Sequence, residues 1–110
     1  MATTLRSRLS ADLPVALRAG DRVRVSALRT TLAAIANAEA VDPAAAVPTG
    51  LGADVARRRL TEDDVVRIVA AERDEHRALA QEMRELGQEG EADACAQRAA
   101  VLEGYLAGHR

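Results

Sequence analysis

Residues 60–86 read LTEDDVVRIVAAERDEHRALAQEMREL, and their pattern decides the fold class. Thr61 has the chemistry of a helix N-cap, Asp64 stands three residues on, and Glu62, Asp63 and Asp64 put acid in the positively polarised first turn. Leu60 and Val65 occupy the two positions of a hydrophobic staple. At about 100° per residue, Val65, Ile68, Leu79, Met83 and Leu86 fall on one stripe, which predicts a helix from Thr61 to about Leu86. Glu72 and His76 fall inside the same stripe. Either neighbouring elements satisfy them or they carry chemistry of their own.

The flanking segments repeat the helical pattern. Gly87 to Gly90 punctuates the chain, and a further helix is predicted from Glu91 to about Ala107, with Ala92, Cys95, Ala99, Leu102 and Leu106 spaced as an antiparallel bundle seam. The short turn makes these two helices antiparallel neighbours. Upstream, Asp21 to Ala40 carries the stripe Val25, Leu28, Leu32, Ile35 and Ala36; on its wheel Arg22 and Arg29 share one shoulder and Arg24 lies near the other. Gly20 followed by Asp21 is a helix stop and a helix start. The first helix runs from about Thr4 to Arg18, with Leu5, Leu9, Leu13, Ala16 and Leu17 on one face. Pro14 should kink or restart it, with Ser10 available as a cap, because proline cannot donate to the carbonyl of Ser10. Residues 41–59, with Pro43, Pro48, Gly50 and Gly52, form a long and mobile loop that ends in Arg57, Arg58 and Arg59. The reading is all-α: a single domain over 1–110, a small four-helix bundle with its long loop between helices two and three.

Composition narrows the function classes. Apolar residues make up 48% of the chain, yet Tyr105 is the sole aromatic, so the interior must come from Leu, Val, Ile and closely approaching Ala faces. All 15 basic residues are arginine, which removes Schiff-base and P-loop lysine chemistry. A net charge of −2 argues against a dominant nucleic-acid footprint while leaving room for local patches. Cys95 stands alone, so no intrachain disulfide forms. No apolar run approaches the ~20 residues that span a bilayer, so no membrane partner is expected. The amphipathic, arginine-bearing N-terminus lacks the apolar core of a secretory signal, and Asp12 is unwelcome in an import sequence; a cytoplasmic location is expected.

The candidate sites are few. Glu72 and His76 lie one turn apart, so a shared ligand or proton is geometrically allowed. A metal centre needs further ligands, and the other histidine, His109, sits at a frayed end, so no metal and no cofactor are expected. The structural alternative pairs Glu72 with a helix-two arginine, Arg29 being best placed, since buried charges are normally paired. Cys95, in a seam position among alanines, reads as an inert small hydrophobe. Arg57, Arg58 and Arg59 form either a phosphate-binding patch or ordinary solvated charge. Tyr105 should pack its ring over helix one or helix three while its hydroxyl reaches water.

In order along the chain, LRSRLSADLPVALRAGD, RVRVSALRTTLAAIANAE, LTEDDVVRIVAAERDEHRALAQEM and VLEGYL are together similar to the N-terminal part of the GatB/YqeY family. Arg24, Ser26, Leu28, Arg29 and Glu39 match one family block, Leu60, Thr61, Val65, Glu72 and Arg77 the next, and Leu102, Glu103, Tyr105 and Leu106 the last. The resemblance implies an all-helical domain like the tail of the amidotransferase B subunit that acts on misacylated Glu-tRNA(Gln) or Asp-tRNA(Asn). There the tail helps hold tRNA while amide chemistry belongs to other domains. Family naming attaches carbon–nitrogen ligase activity with glutamine as amide donor. Two departures stand out: Leu86-Gly87-Gln88 replaces the family's Ala-Gly-Arg, and the chain reads YLAGHR where the family continues into a smaller helical subdomain.

Three functions follow as expectations. The leading one is a non-catalytic adapter that binds tRNA or a translation-related protein through Arg22, Arg24, Arg29, Arg57, Arg58 and Arg59. The second is a stand-alone amidotransferase-related enzyme, or an accessory subunit of a glutamine-dependent amidotransferase. The third is a protein-binding bundle that self-associates through alanine-rich helix faces.

Overall fold

The computed structural model describes residues 3–40 and 59–109. Their fold is all-α, with four helices and, among the described residues, no strand: α1 Leu5–Ala19, α2 Arg22–Glu39, α3 Glu62–Glu85 and α4 Glu89–His109.

Local chemistry sets the helix ends. Thr4 caps α1 by accepting from the Ser7 amide at 3.1 Å. The helix closes at Gly20, whose φ of 68° places it in the left-handed region that a side chain disfavours. There the Gly20 amide donates to Leu17 and the Asp21 amide to Ala16, a Schellman closure. Asp21 then caps α2 through the Arg24 amide at 3.1 Å. At the start of α3 the Thr61 hydroxyl accepts from Asp64 and the Asp64 carboxylate accepts from Thr61, a complete capping box. Gly87, with φ 76°, closes α3 through the bonds Gly87 to Arg84 and Gln88 to Met83.

Two expectations about α1 and α4 need correction. The first helix does not restart at Pro14: α1 runs through it, and Ser10 is an internal residue. Ser10 and Pro14 are both exposed, so water can satisfy the carbonyl that proline leaves without a donor. The fourth helix begins at Glu89 rather than Glu91, with the Ala92 amide already donating to the Gln88 carbonyl. Gly90 sits in the first turn, where a glycine does not end a helix.

α1 packs on α2 and α3 on α4, and the two hairpins meet through α2 against α3 and α4 and through α1 against α3. Leu5, Leu9, Leu28, Ile35, Val65, Val69, Leu102 and Leu106 form an aliphatic core at that junction. Arg6 locks its edge by donating two hydrogen bonds, 2.5 and 2.6 Å, to Glu39. The Leu5 amide also donates to Glu62 at 3.3 Å.

The far half of the α3–α4 hairpin is built differently. Its buried residues are Ala80, Ala92, Cys95 and Ala99, so two helix backbones approach closely over small side chains. The expected α3 stripe therefore divides: Val65 is buried, whereas Leu79 is 36% and Leu86 64% exposed. With 15 and 18 residues against 24, α1 and α2 are too short at about 1.5 Å per residue to cover the end of α3. Among the described residues, no helix is long and apolar enough to cross a membrane.

Candidate functional site

Charge is divided unequally between the two hairpins. From Leu5 to Glu39 there are six arginines against three acids; from Glu62 to His109 there are five arginines against twelve acids. The net charge of −2 thus conceals a basic α1–α2 hairpin on an acidic α3–α4 hairpin.

Pairing sharpens the contrast. Arg73 and Arg77 contact Asp74 and Glu103, Arg84 contacts Glu89 and Asp93, and Arg98 contacts Glu91. By contrast, Arg18, Arg22 and Arg29 of the basic hairpin are exposed and join no ion pair among the described residues, whereas on the acidic hairpin only Arg67 is so placed among them. Arg22 and Arg29 line one outer groove of about 510 Å³ with Leu17, Gly20, Val25, Ser26 and Thr30. Arg59 is exposed; Arg57 and Arg58 lie outside the described residues.

Arg24 takes the opposite side of α2 and belongs to a three-helix polar junction. Tyr105 of α4 donates to Asp12 of α1 at 2.5 Å, while Arg24 donates to the Tyr105 hydroxyl at 3.4 Å. Arg8 lies over the ring at 5.4 Å from its centroid, and Arg24 lies 6.0 Å away. Arg24 also contacts its cap residue Asp21 at 3.6 Å. These groups border a cleft of about 280 Å³. Burial, then the bond to Asp12, pushes the Tyr105 phenol from 10.0 up to about 12, so it is a neutral donor. The expectation that its hydroxyl reaches water is corrected: with 5% of the residue exposed, the hydroxyl finds a carboxylate instead. Sequence reasoning passed over Arg8 and Asp12. The available signal was that Asp12 interrupts the Leu5, Leu9 and Ala16 stripe, as Glu72 interrupts that of α3.

The Arg29–Glu72 pair is not formed. Neither residue joins an ion pair among the described residues; Arg29 faces the outer groove. Glu72 is half-buried, and burial followed by the nearby Glu75 raises its pKa above the usual carboxylate value. A wheel position names the face of α2 that looks inward, and Arg29 is on the other face, away from buried Leu28 and Thr31.

His76 is also half-buried, with both ring nitrogens shielded and without a hydrogen-bond partner. Burial, then the positive charge of Arg98, lowers its pKa and favours the neutral ring. Cys95 is fully buried in the α3–α4 seam, with Arg98 Nη1 3.8 Å from its sulfur. Among the described residues, no three His, Cys, Asp or Glu side chains are placed to share a metal ion. Comparison of the chain with protein-family models, curated proteins and solved structures finds no match.

Proposed function

We propose that this chain is a non-catalytic helical adapter that binds tRNA in the cytoplasm through the arginine-bearing surface of α2. The observation that carries the reading is the accumulation of unpaired guanidinium groups on one hairpin: Arg18, Arg22 and Arg29 are exposed with no acid partner among the described residues. A phosphate backbone is the partner that gains most from such groups, since each contact releases condensed counterions and needs no rearrangement of existing ion pairs. Arg24 is the fourth contributor. Held against Tyr105 and Asp21, it would position the surface more than supply free charge. The resemblance to the amidotransferase tail implies the same partner, and holding tRNA needs no nucleophile.

Retention of tRNA on a filter at two salt concentrations tests the reading. Binding should weaken as salt rises, and Arg22→Ala with Arg29→Ala should reduce the log–log salt slope by about 0.7–0.9 per lost phosphate contact. Absence of retention at low salt, or a slope unchanged by the double substitution, would refute it.

A further inference from the structure

Among the described residues, the large exposed apolar side chains are Val15 and Leu17 on the basic hairpin, and Leu79 and Leu86 on the acidic one. Each pair stands beside unpaired charge of a single sign. On α3, Glu75, Leu79, Glu82 and Leu86 follow four-, three- and four-residue steps and share one exposed strip. Glu75 and Glu82 join no ion pair among the described residues. On α2, Arg22 and Arg29 flank Val25 and Ser26 in the outer groove, with Leu17 of α1 beside them. The two glutamates are seven residues apart and so are the two arginines, about 10 Å along a helix in each case. A strip laid along the groove in either direction therefore puts both glutamates on both arginines, with Leu79 between them over Leu17 and Val25.

We propose that the α3 strip of one copy of this chain docks in the α2 groove of a second copy. Matched charge spacing selects this occupant over a second basic hairpin, which would set like charges against each other. Because strip and groove are different surfaces, the contact is heterologous: copies either reciprocate in a closed assembly or extend head to tail. The proposal does not rest on RNA binding, and its test contains no RNA.

The test is sedimentation velocity of the full chain over a concentration series at low and high salt. Arg22→Glu with Arg29→Glu, and separately Glu75→Arg with Glu82→Arg, should each weaken self-association roughly tenfold or more, because attractions become repulsions at the rim. An equimolar mixture of the two double variants should associate again, since the acidic strip of one meets the intact groove of the other and the reversed pair also matches. Helix content by circular dichroism checks that all the changed residues, which are exposed, leave the fold intact. A chain that is monomeric at every concentration and salt would overturn the proposal. So would association that neither reversal weakens, which would place the contact elsewhere. A mixture as dissociated as its two components would overturn it as well.

Discussion

Replacing Tyr105 by Phe should destabilise the protein by about 2 kcal/mol at neutral pH, because a hydrogen bond to a charged acceptor contributes about 1.5–3 kcal/mol and Asp12 loses its donor. Ionising the same hydroxyl in place gives a second, independent measure. The folded state raises the phenol from 10.0 to about 12, so it holds the proton more tightly than the unfolded chain does. That stability is fully present below the unfolded pKa and is lost as pH rises through the folded one. At about 1.4 kcal/mol per pKa unit the loss amounts to roughly 3 kcal/mol over this window. The chain isolates the effect, having no lysine and a single tyrosine. Tyrosinate absorbance should therefore report a folded-state transition near 12, and urea denaturation should show wild-type stability falling over the same range. The Phe variant should be less stable at neutral pH and flat across the window. A folded-state titration at the ordinary phenol value, or a variant as stable as the wild type, would sink the argument.

Thr31 is fully buried and its hydroxyl has no partner, so Thr31→Val should leave the fold unchanged and stabilise it by about 1 kcal/mol in chemical denaturation. Glu72 meets no cation among the described residues and is held above its ordinary pKa by burial and then Glu75. Its raised value means that it opposes folding once ionised, so Glu72→Gln should raise the melting temperature at neutral pH, and the gain should vanish below the carboxylate range. Ala92 is fully buried in the α3–α4 seam, where Ala92→Leu should lower stability by about 1–3 kcal/mol through overpacking. An unchanged melting temperature for that variant would mean that the two helices are not close-packed there.

Much of this fold is legible in the sequence because its signals are local. Thr61 with Asp64, and Gly20 with Asp21, fix helix ends through bonds spanning a few residues, and each appears as the pattern predicts. The seam of α4 is legible for the same reason: Ala92, Cys95, Ala99, Leu102 and Leu106 are all buried. What misleads is anything that depends on where a second helix ends or which way it faces. The α3 stripe is regular to Leu86, but periodicity carries no information about how far α1 and α2 extend alongside it. Glu72 and Asp12 pose the same puzzle from sequence, a carboxyl group inside an apolar stripe. Asp12 meets Tyr105, and Glu72 meets no cation among the described residues. Residue type could not separate the two outcomes, because the partner of Asp12 lies 93 positions away.

The allocation of arginines says more about function than their number. Exposed ion pairs contribute little to stability, typically less than about 1 kcal/mol each. The contacts of Arg77 and Arg84 with Asp74, Glu89 and Asp93 thus explain little of why the hairpin folds. Their consequence is electrostatic: they neutralise cations on the acidic hairpin, where Arg67 is the one left exposed and unpaired, while Arg18, Arg22 and Arg29 stay uncompensated on the other hairpin, in each case among the described residues. A chain with the same net charge and its pairs distributed evenly would present no field of either sign over a distance comparable to the ~8 Å screening length of physiological salt. Here the two hairpins present opposite fields on opposite elements, and the apolar side chains left exposed stand within those fields. Under the two proposals, polyanion and partner copy compete for one groove. A protein of this design should respond to ionic strength in whichever contact it makes, and reversing the charges of Glu75 and Glu82 separates the two contacts, since that change leaves the α2 surface untouched.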